Sequence, residues 1–163
     1  MMRHAKAEPF ATSDRDRVLT ARGRKDAHEA GAYLAREAVV PDYAVVSSAV
    51  RTRQTWEEVA QGSGSTAAVQ VDESVFTGSS PEVVMDVLRG LPEQATRAIF
   101  VGHNPAIAQV VHLLDDGNAD PEAMRGILSG YPVAALTVLE VGGTWSELGP
   151  AAGRIVSFHV GTG

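Results

Sequence analysis

Two histidines and two arginines are the residues of this sequence best suited to chemistry. Arg3 and His4 are adjacent near the amino terminus, and Arg51 and His103 each follow a short apolar run. The guanidinium group of arginine is a planar fork that can bind phosphate through two hydrogen bonds, and a neutral imidazole is a competent nucleophile near neutral pH. Gathered around one point, these four side chains would bind a tetrahedral oxyanion beside a nucleophile, which is what phosphoryl transfer requires.

The pattern of apolar residues predicts the elements that would bring these side chains together. Strand-like and helix-like segments alternate along the first two thirds of the chain, and a β-rich tail follows. This order predicts an α/β protein, a three-layer α/β/α sandwich around a mixed, mainly parallel sheet, in a single domain over residues 1–163. In such sheets the loops at the carboxyl ends of the strands face the ligand. The predicted strands cover 43–46, 69–71, 98–101, 132–141 and 153–160, the predicted helices cover about 20–34, 51–60, 81–89, 104–114 and 122–128, and residues 61–65 are predicted to be a flexible turn.

Composition narrows the class of protein. The chain has 163 residues, 44% of them hydrophobic, and no apolar stretch of the length that crosses a bilayer. It has no cysteine, which excludes disulfides and thiolate catalysis and, with no leader-like segment at the start, favours a cytoplasmic location. The net charge of −6 argues against general nucleic-acid binding. No spacing of His, Asp or Glu is typical of a metal site, so neither a metal ion nor a cofactor is expected.

Four segments of the sequence occur in an order that is itself informative. They read Arg-His-Ala at 3–5, Arg-Val-Leu-Thr-Ala-Arg-Gly at 17–23, Ser-Ser-Ala-Val-Arg-Thr-Arg-Gln-Thr at 47–55 and Gly-His-Asn-Pro at 102–105. Together they resemble the histidine phosphatase (phosphoglycerate mutase-like) superfamily, and in particular its small SixA-like branch, which includes phosphohistidine phosphatases. The resemblance extends from residue 3 to about residue 115 and implies a minimal phosphoglycerate mutase-like fold without a large cap domain.

The resemblance implies a role for each of the principal residues. His4 would be the nucleophile and would carry a covalent phosphohistidine intermediate. Arg3 and Arg51 would hold the phosphate, and His103, protonated when phosphate is bound, would donate to the transferring group. Backbone N–H groups at the start of the helix that begins near Asn104 would add further donors. No metal ion would be needed, because the arginines and His103 supply the positive charge.

Two further residues have competing interpretations. Arg17 matches a family arginine that reaches the phosphate, but it also lies in a charged loop where a solvated arginine is ordinary. Glu73 matches the position at which larger relatives place the general acid, whereas it could instead cap a turn. A phosphoramidate such as phosphohistidine leaves readily because its nitrogen is easily protonated. Glu73 is therefore expected to assist the reaction without being essential on phosphohistidine.

The interval before the Gly-His-Asn-Pro segment bears on the substrate. Residues 74–96 have room for one helix and its loops, where larger relatives insert a helical cap. An open site admits a protein side chain, so the expected substrate is a phosphohistidine or another phosphoprotein, and small phosphoesters remain open. The alternative is a phosphate-binding or regulatory module of the same fold with weak turnover. The oligomeric state is not predicted.

The amino terminus departs from the family pattern. Only Met1 and Met2 precede the Arg-His pair, where family members have several apolar residues. Either the first strand is very short, or the natural start lies upstream of Met1. A truncated first strand is expected to lower stability and to loosen the loop that carries His4.

Overall fold

Residues 1–163 are described by a computed structural model, which contains one six-stranded sheet and five α-helices. None of the helices is long and apolar enough to cross a membrane. The strands are β1 (Met2–Arg3), β2 (Tyr43–Ser47), β3 (Ala68–Asp72), β4 (Ala98–Gly102), β5 (Ala135–Val141) and β6 (Gly153–Val160). The helices are α1 (Ala21–Arg36), α2 (Val50–Ser63), α3 (Pro81–Arg89), α4 (Ala106–Leu114) and α5 (Pro121–Leu128), and short 3₁₀ helices cover Asp14–Asp16 and Trp145–Glu147.

The sheet is mixed and mainly parallel, as the sequence predicts. Its strand order is β3-β2-β4-β1-β5-β6. The first four of these strands are mutually parallel, whereas β5 runs antiparallel to both β1 and β6. The β-rich tail therefore adds an antiparallel pair to one edge of a parallel sheet.

Two separate apolar clusters show that helices cover both faces of this sheet. Along β2, Val45 packs into the cluster beneath α3, α4 and α5, whereas Ala44 and Val46 pack into the cluster beneath α1 and α2. Successive side chains of a strand point to opposite faces, so a strand covered on both faces is apolar at every position. The continuous run of apolar residues in β2 thus explains the three-layer α/β/α architecture.

The end of α2 differs from the sequence-based expectation. Residues 61–65 are predicted to be a flexible turn, but the helix continues through Ser63 and ends at Gly64, which has a left-handed φ of +69°. Gly62 lies against α1, where an added Cβ would come within 2.1 Å of the carbonyl oxygen of His28. This glycine is therefore required for the close approach of two helices and does not end the helix.

The strand register brings the two principal histidines to the same level of the sheet. Met2 of β1 pairs with Val101 of β4, and Val46 of β2 pairs with the same residue from the other side. The residues that follow β1 and β4 are His4 and His103, and the backbone N–H of His4 donates to the carbonyl of Gly102 at 3.0 Å. The carboxyl ends of β1, β2 and β4 consequently open toward one volume.

A cleft of about 440 Å³ lies at the opposite, amino-terminal edge of the same strands. Strand β1 has two residues and pairs with β4 only at Val101 and Gly102, so β4 and β5 face each other across a gap beyond its start. The Met1 ammonium group is buried there and donates to the carbonyl of Thr137 at 2.9 Å. Burial lowers the pKa of this amino group to about 5. The lining of the cleft includes Ala98, Ile99 and Phe100 of β4 and Val138, Leu139 and Val141 of β5.

We expect three or four β-branched residues added before Met1 to raise the melting temperature. The added segment would extend β1 into the cleft, bury apolar surface and remove the buried amino group. An amine with a pKa lowered from 8.0 to about 5 binds a proton more readily in the unfolded chain, so the present chain gains stability as pH rises from 5 to 8. The extended chain is expected to lose this part of its pH dependence, measured by thermal unfolding across that range.

A Gly-Ser extension of equal length is the matched control, because it removes the buried amino group without adding apolar packing. It is expected to remove the pH dependence but to raise the melting temperature less than the β-branched extension does. Equal melting temperatures for all three proteins at pH 5.5 would contradict both parts of the expectation.

Candidate active site

The carboxyl ends of the central strands bring three of the four principal side chains into direct contact. The ring centroids of His4 and His103 are 5.3 Å apart and meet edge to face. The Nη2 atom of Arg51 lies 3.5 Å from Nδ1 of His103. Arg3 is anchored beside them by a hydrogen bond from Nη1 to the carbonyl of Tyr131 at 2.8 Å. Two imidazoles and two guanidinium groups therefore surround a single volume.

The imidazole of His4 is held in the tautomer that a nucleophile needs. Its Nδ1 lies 2.8 Å from the carbonyl oxygen of Ala5, and since a carbonyl can only accept, Nδ1 carries the proton. The lone pair is then on Nε2, which has no hydrogen-bond partner in the structure. Burial, with the charges of Arg51 and Arg3, lowers the pKa of His4 to about 4. His4 is accordingly neutral at physiological pH.

We expect an NMR titration of the imidazole C–H signals to give a midpoint near pH 4 for His4. The physical reason is the desolvation of the ring together with two adjacent arginines, both of which disfavour the imidazolium. The loss of reactivity in acid should follow the same titration, since protonation removes the lone pair of Nε2. The signal is assigned by its absence from the spectrum of His4→Ala. A midpoint near 6.5 would contradict the burial and charge seen around this ring.

Two buried arginine N–H donors at the site have no partner. Arg51 is 2% exposed; its Nη1 donates to the carbonyl of Asp14 at 2.6 Å, and its Nη2 donates to Asp14 Oδ2 at 2.9 Å and to Thr77 Oγ1 at 2.8 Å. The Nε atoms of Arg51 and Arg3 are both buried and bond to nothing. A buried unsatisfied donor costs about 1–3 kcal/mol. An anion bound between the two arginines would satisfy both donors.

His103 is a neutral imidazole in the absence of an anion. Its Nε2 lies 2.8 Å from Oγ of Ser47, and the ring of Phe76 covers another side at a centroid distance of 5.9 Å. Burial, followed by the influence of His4 and Arg51, lowers its pKa to about 3. A phosphate dianion beside the ring would favour the imidazolium and raise this pKa. The expectation that His103 is protonated when phosphate is bound stays a prediction.

Arg17 and Asn104 lie at the margin of the site and contact other protein groups. Arg17 donates from Nη1 to Asp14 Oδ1 at 3.0 Å and from Nε to the carbonyl of Glu8 at 2.7 Å. Asn104 donates to the carbonyl of Tyr131 at 3.0 Å, and its own Oδ1 is buried without a partner. Helix α4 begins two residues later than Asn104. The phosphate-binding roles expected of these two residues stay predictions.

The surroundings of Glu73 stabilise its ionised form, whereas a general acid must carry a proton. Arg15 binds it through two hydrogen bonds of 2.7 and 2.8 Å, and Ser48 donates to it at 2.9 Å. The hydrogen bonds from Arg15 and Ser48 lower the pKa of Glu73, whose side chain is 70% exposed. A general acid works best with a pKa raised toward the working pH. This environment favours at most the assisting role expected from the sequence.

The structure places no three His, Asp or Glu side chains where they could hold a metal ion together. The positive charge of the site is supplied by guanidinium groups, chiefly those of Arg3 and Arg51. Sequence reasoning missed three residues that contact them, namely Asp14, Thr77 and Tyr131. Asp14 lay in the charged loop already noted around Arg17, but neither its type nor its spacing indicates a contact with Arg51.

Comparison with known proteins agrees with this arrangement. The model of the histidine phosphatase superfamily (branch 1) matches residues 1–75, which include Arg3, His4 and Arg51. An uncharacterized protein of Mycobacterium tuberculosis (strain ATCC 25618 / H37Rv) is 31% identical over 161 residues, 98% of this chain and 99% of the relative. The chain belongs to the histidine phosphatase superfamily.

Two relatives of this member of the superfamily carry SixA names. The phosphohistidine phosphatase SixA homolog of Haemophilus influenzae is 28% identical over 149 residues, 85% of each chain. A structure from Nakamurella multipartitia, provisionally assigned as phosphohistidine phosphatase SixA, superimposes with a TM-score of 0.85 at 28% identity and covers 99% of this chain and 94% of its own. These similarities support a phosphatase with the phosphoglycerate mutase-like fold.

Proposed function

We propose that this protein is a metal-independent phosphatase that hydrolyses a phosphohistidine, or another phosphoprotein or phosphoester, through a covalent phosphohistidine on His4. The observation that carries the proposal is the state of His4 and its neighbours. The ring is neutral, Nε2 is without a partner, and two arginines each have a buried, unpaired Nε–H donor. A neutral nucleophile beside unpaired cationic donors is suited to attack on a bound phosphoryl group.

In the first step, Nε2 of His4 attacks phosphorus as the bond between phosphorus and the leaving nitrogen or oxygen breaks. The leaving atom takes a proton from solvent, and the imidazole of His4, now bonded to phosphorus, becomes positively charged. The hydrogen bond from Nδ1 to the carbonyl of Ala5 stabilises this charge and fixes the ring in line with the phosphate. Arg3 and Arg51 bind the phosphoryl oxygens, on which negative charge is concentrated.

In the second step, water attacks phosphorus of the phosphorylated His4. The bond between Nε2 and phosphorus breaks, the water proton is released, and inorganic phosphate leaves. Neutral His4 is then restored with its lone pair on Nε2. Residues 74–96 contain only helix α3 and its loops, with no helical cap, so we expect water to reach the phosphorylated His4.

The leaving group is the basis for favouring phosphohistidine. A phosphoester leaves as an alkoxide unless an acid protonates it, whereas the nitrogen of phosphohistidine is readily protonated. Glu73 is ionised and paired with Arg15, which makes it a weak acid candidate. A site with a weak acid favours N-phosphorylated over O-phosphorylated substrates.

Glu73→Gln is expected to change the kcat of phosphohistidine hydrolysis by less than about threefold. It is expected to lower the kcat of phosphomonoester hydrolysis more, because an alkoxide leaving group depends on general acid catalysis. The measurement is kcat on a phosphohistidine protein and on an alkyl phosphate. Glu57→Gln on the exposed surface of α2 is the control. Loss of phosphohistidine hydrolysis as complete as in His4→Ala would show that Glu73 is essential.

The proposed function is tested by trapping the intermediate in the wild-type protein. Phosphohistidine protein labelled on phosphorus is mixed with the enzyme in EDTA and quenched in alkali, where phosphohistidine is stable. The expected result is phosphate release with transient acid-labile label on the peptide that contains His4. A folded protein that binds vanadate but neither releases phosphate nor becomes labelled would instead be the phosphate-binding or regulatory module of the alternative.

A further inference from the structure

Asp14 accepts hydrogen bonds from two arginines of the candidate site, and no sequence pattern indicates these contacts. It begins the 3₁₀ helix Asp14–Asp16 in the loop that follows His4. Its carbonyl and one carboxylate oxygen both accept from Arg51, and its other carboxylate oxygen accepts from Arg17. One residue therefore joins two arginines of the site.

The contacts of Asp14 use one particular edge of the Arg51 guanidinium group. A guanidinium offers an end-on edge, made by Nη1 and Nη2, and a side-on edge, made by Nε and Nη2. The Asp14 carbonyl at 2.6 Å from Nη1 and its carboxylate at 2.9 Å from Nη2 occupy the end-on edge. The side-on edge contains the buried Nε that has no partner, while its Nη2 donates to Thr77 Oγ1 at 2.8 Å and lies 3.5 Å from His103 Nδ1.

We propose that Asp14 is a positioning residue that holds the end-on edge of Arg51, so that the side-on edge binds the phosphoryl group next to His103. This inference rests on the proposed function for the identity of the anion. Thr77 accepts from Nη2 at 2.8 Å and uses the second hydrogen of that nitrogen, so on the side-on edge only Nε is without a partner. Binding phosphate would then give Nε a partner and take over the Nη2 hydrogen that Thr77 now accepts, without breaking the contacts of Asp14.

Arg17 acts through Asp14 in this arrangement. Its Nη1 binds Asp14 Oδ1 at 3.0 Å, and its Nε is fixed to the carbonyl of Glu8 at 2.7 Å. The hydrogen bonds from Arg17 and Arg51 lower the pKa of Asp14, so the carboxylate is ionised while it bridges them. A family arginine expected to contact phosphate thus orients the carboxylate that orients Arg51.

A competing interpretation makes the Asp14 carboxylate a stand-in for the phosphate, to be displaced when substrate binds. The backbone contact argues against it, because the Asp14 carbonyl cannot leave Nη1 unless the 3₁₀ helix moves. Arg15 fastens that helix to the neighbouring loop through Glu73 and Ser48. The two interpretations predict opposite changes in anion affinity when the carboxylate is removed.

The test compares Asp14→Asn with Asp16→Asn. Asp16 belongs to the same 3₁₀ helix, but its carboxylate accepts a hydrogen bond only from Ser13. Vanadate binding and phosphohistidine hydrolysis are measured for both variants. Asp14→Asn is expected to weaken vanadate binding several-fold and to lower kcat about 10–100-fold, the scale of a small misplacement of a catalytic group. Asp16→Asn is expected to match the wild type.

A double-mutant cycle distinguishes positioning from a general structural effect. If Asp14 acts through Arg51, the effect of Asp14→Asn on vanadate affinity should vanish in an Arg51→Ala background. An undiminished effect in that background, or equal behaviour of Asp14→Asn and Asp16→Asn, would overturn the proposal. Tighter vanadate binding by Asp14→Asn would establish the competing interpretation. Vanadate affinity reports on Asp14 even in a protein without turnover, so failure of the proposed function is recognised separately.

Discussion

His4→Ala is expected to lower the kcat of phosphohistidine hydrolysis by at least about 10⁴-fold, the scale seen when a catalytic nucleophile is removed. No other side chain can replace it, because His103 is bonded through Nε2 to Ser47 and faces Arg51 with Nδ1. Phosphate release in EDTA gives the rate. The acid-labile label on the protein should disappear together with the activity, because both depend on the same Nε2.

The control for this substitution must separate loss of chemistry from loss of folding. His112→Ala serves as the matched variant, since His112 is exposed on α4. His4→Ala should retain a cooperative thermal transition and bind vanadate, because Arg3 and Arg51 remain. Activity within tenfold of the wild type in His4→Ala would exclude His4 as the nucleophile.

The positions of His4, Arg51 and His103 could be predicted because each lies shortly after a buried strand. The interior of β2, from Ala44 to Val46, is apolar without alternation, which indicates burial on both faces and hence a parallel sheet. Once the strands are parallel, the residues after them meet at one edge. That reasoning is sufficient to bring His4, Arg51 and His103 together, and the register places the two histidines level with each other.

The contacts that orient the arginines could not be predicted from the sequence. Tyr131 receives Arg3 and Asn104 through its backbone carbonyl, so its residue type has no bearing on the contact. Asp14 and Thr77 reach Arg51 from two loops, whose paths are not set by the periodicity of apolar residues. Strand ends are encoded locally, whereas loop contacts depend on tertiary packing.

Glu73 is a residue whose position follows from the sequence but whose ion-pair partner does not. Glu73 directly follows β3, and Ser48, which follows β2, donates a hydrogen bond to it. Its partner Arg15, however, is 58 residues away in the chain and also lies over the ring of Phe76, 4.6 Å from the centroid. A carboxylate at a family position therefore acquires a different protonation state from a pairing that sequence order does not reveal.

Arg51→Lys is expected to lower kcat/KM by about 10²–10³-fold, because lysine is a point charge and cannot reproduce two edges of a planar fork. In the structure one edge of Arg51 is held by Asp14, and the other includes the unpaired Nε. An ammonium group has three donors but no planar edges, so it cannot keep the paired contacts with Asp14 and also bind the phosphate in bidentate geometry. The measurement is kcat/KM on phosphohistidine protein together with the affinity for vanadate.

Arg53→Lys is the matched control, since Arg53 lies on the exposed face of the same first turn of α2 and should tolerate the change. Wild-type vanadate affinity in a folded Arg51→Lys protein would contradict the need for a guanidinium at this position. Comparison with His4→Ala then separates the two requirements of the site. The lysine variant should lose anion affinity while keeping its nucleophile, whereas the alanine variant should lose turnover while keeping anion affinity, because binding depends on Arg51 and bond formation depends on His4.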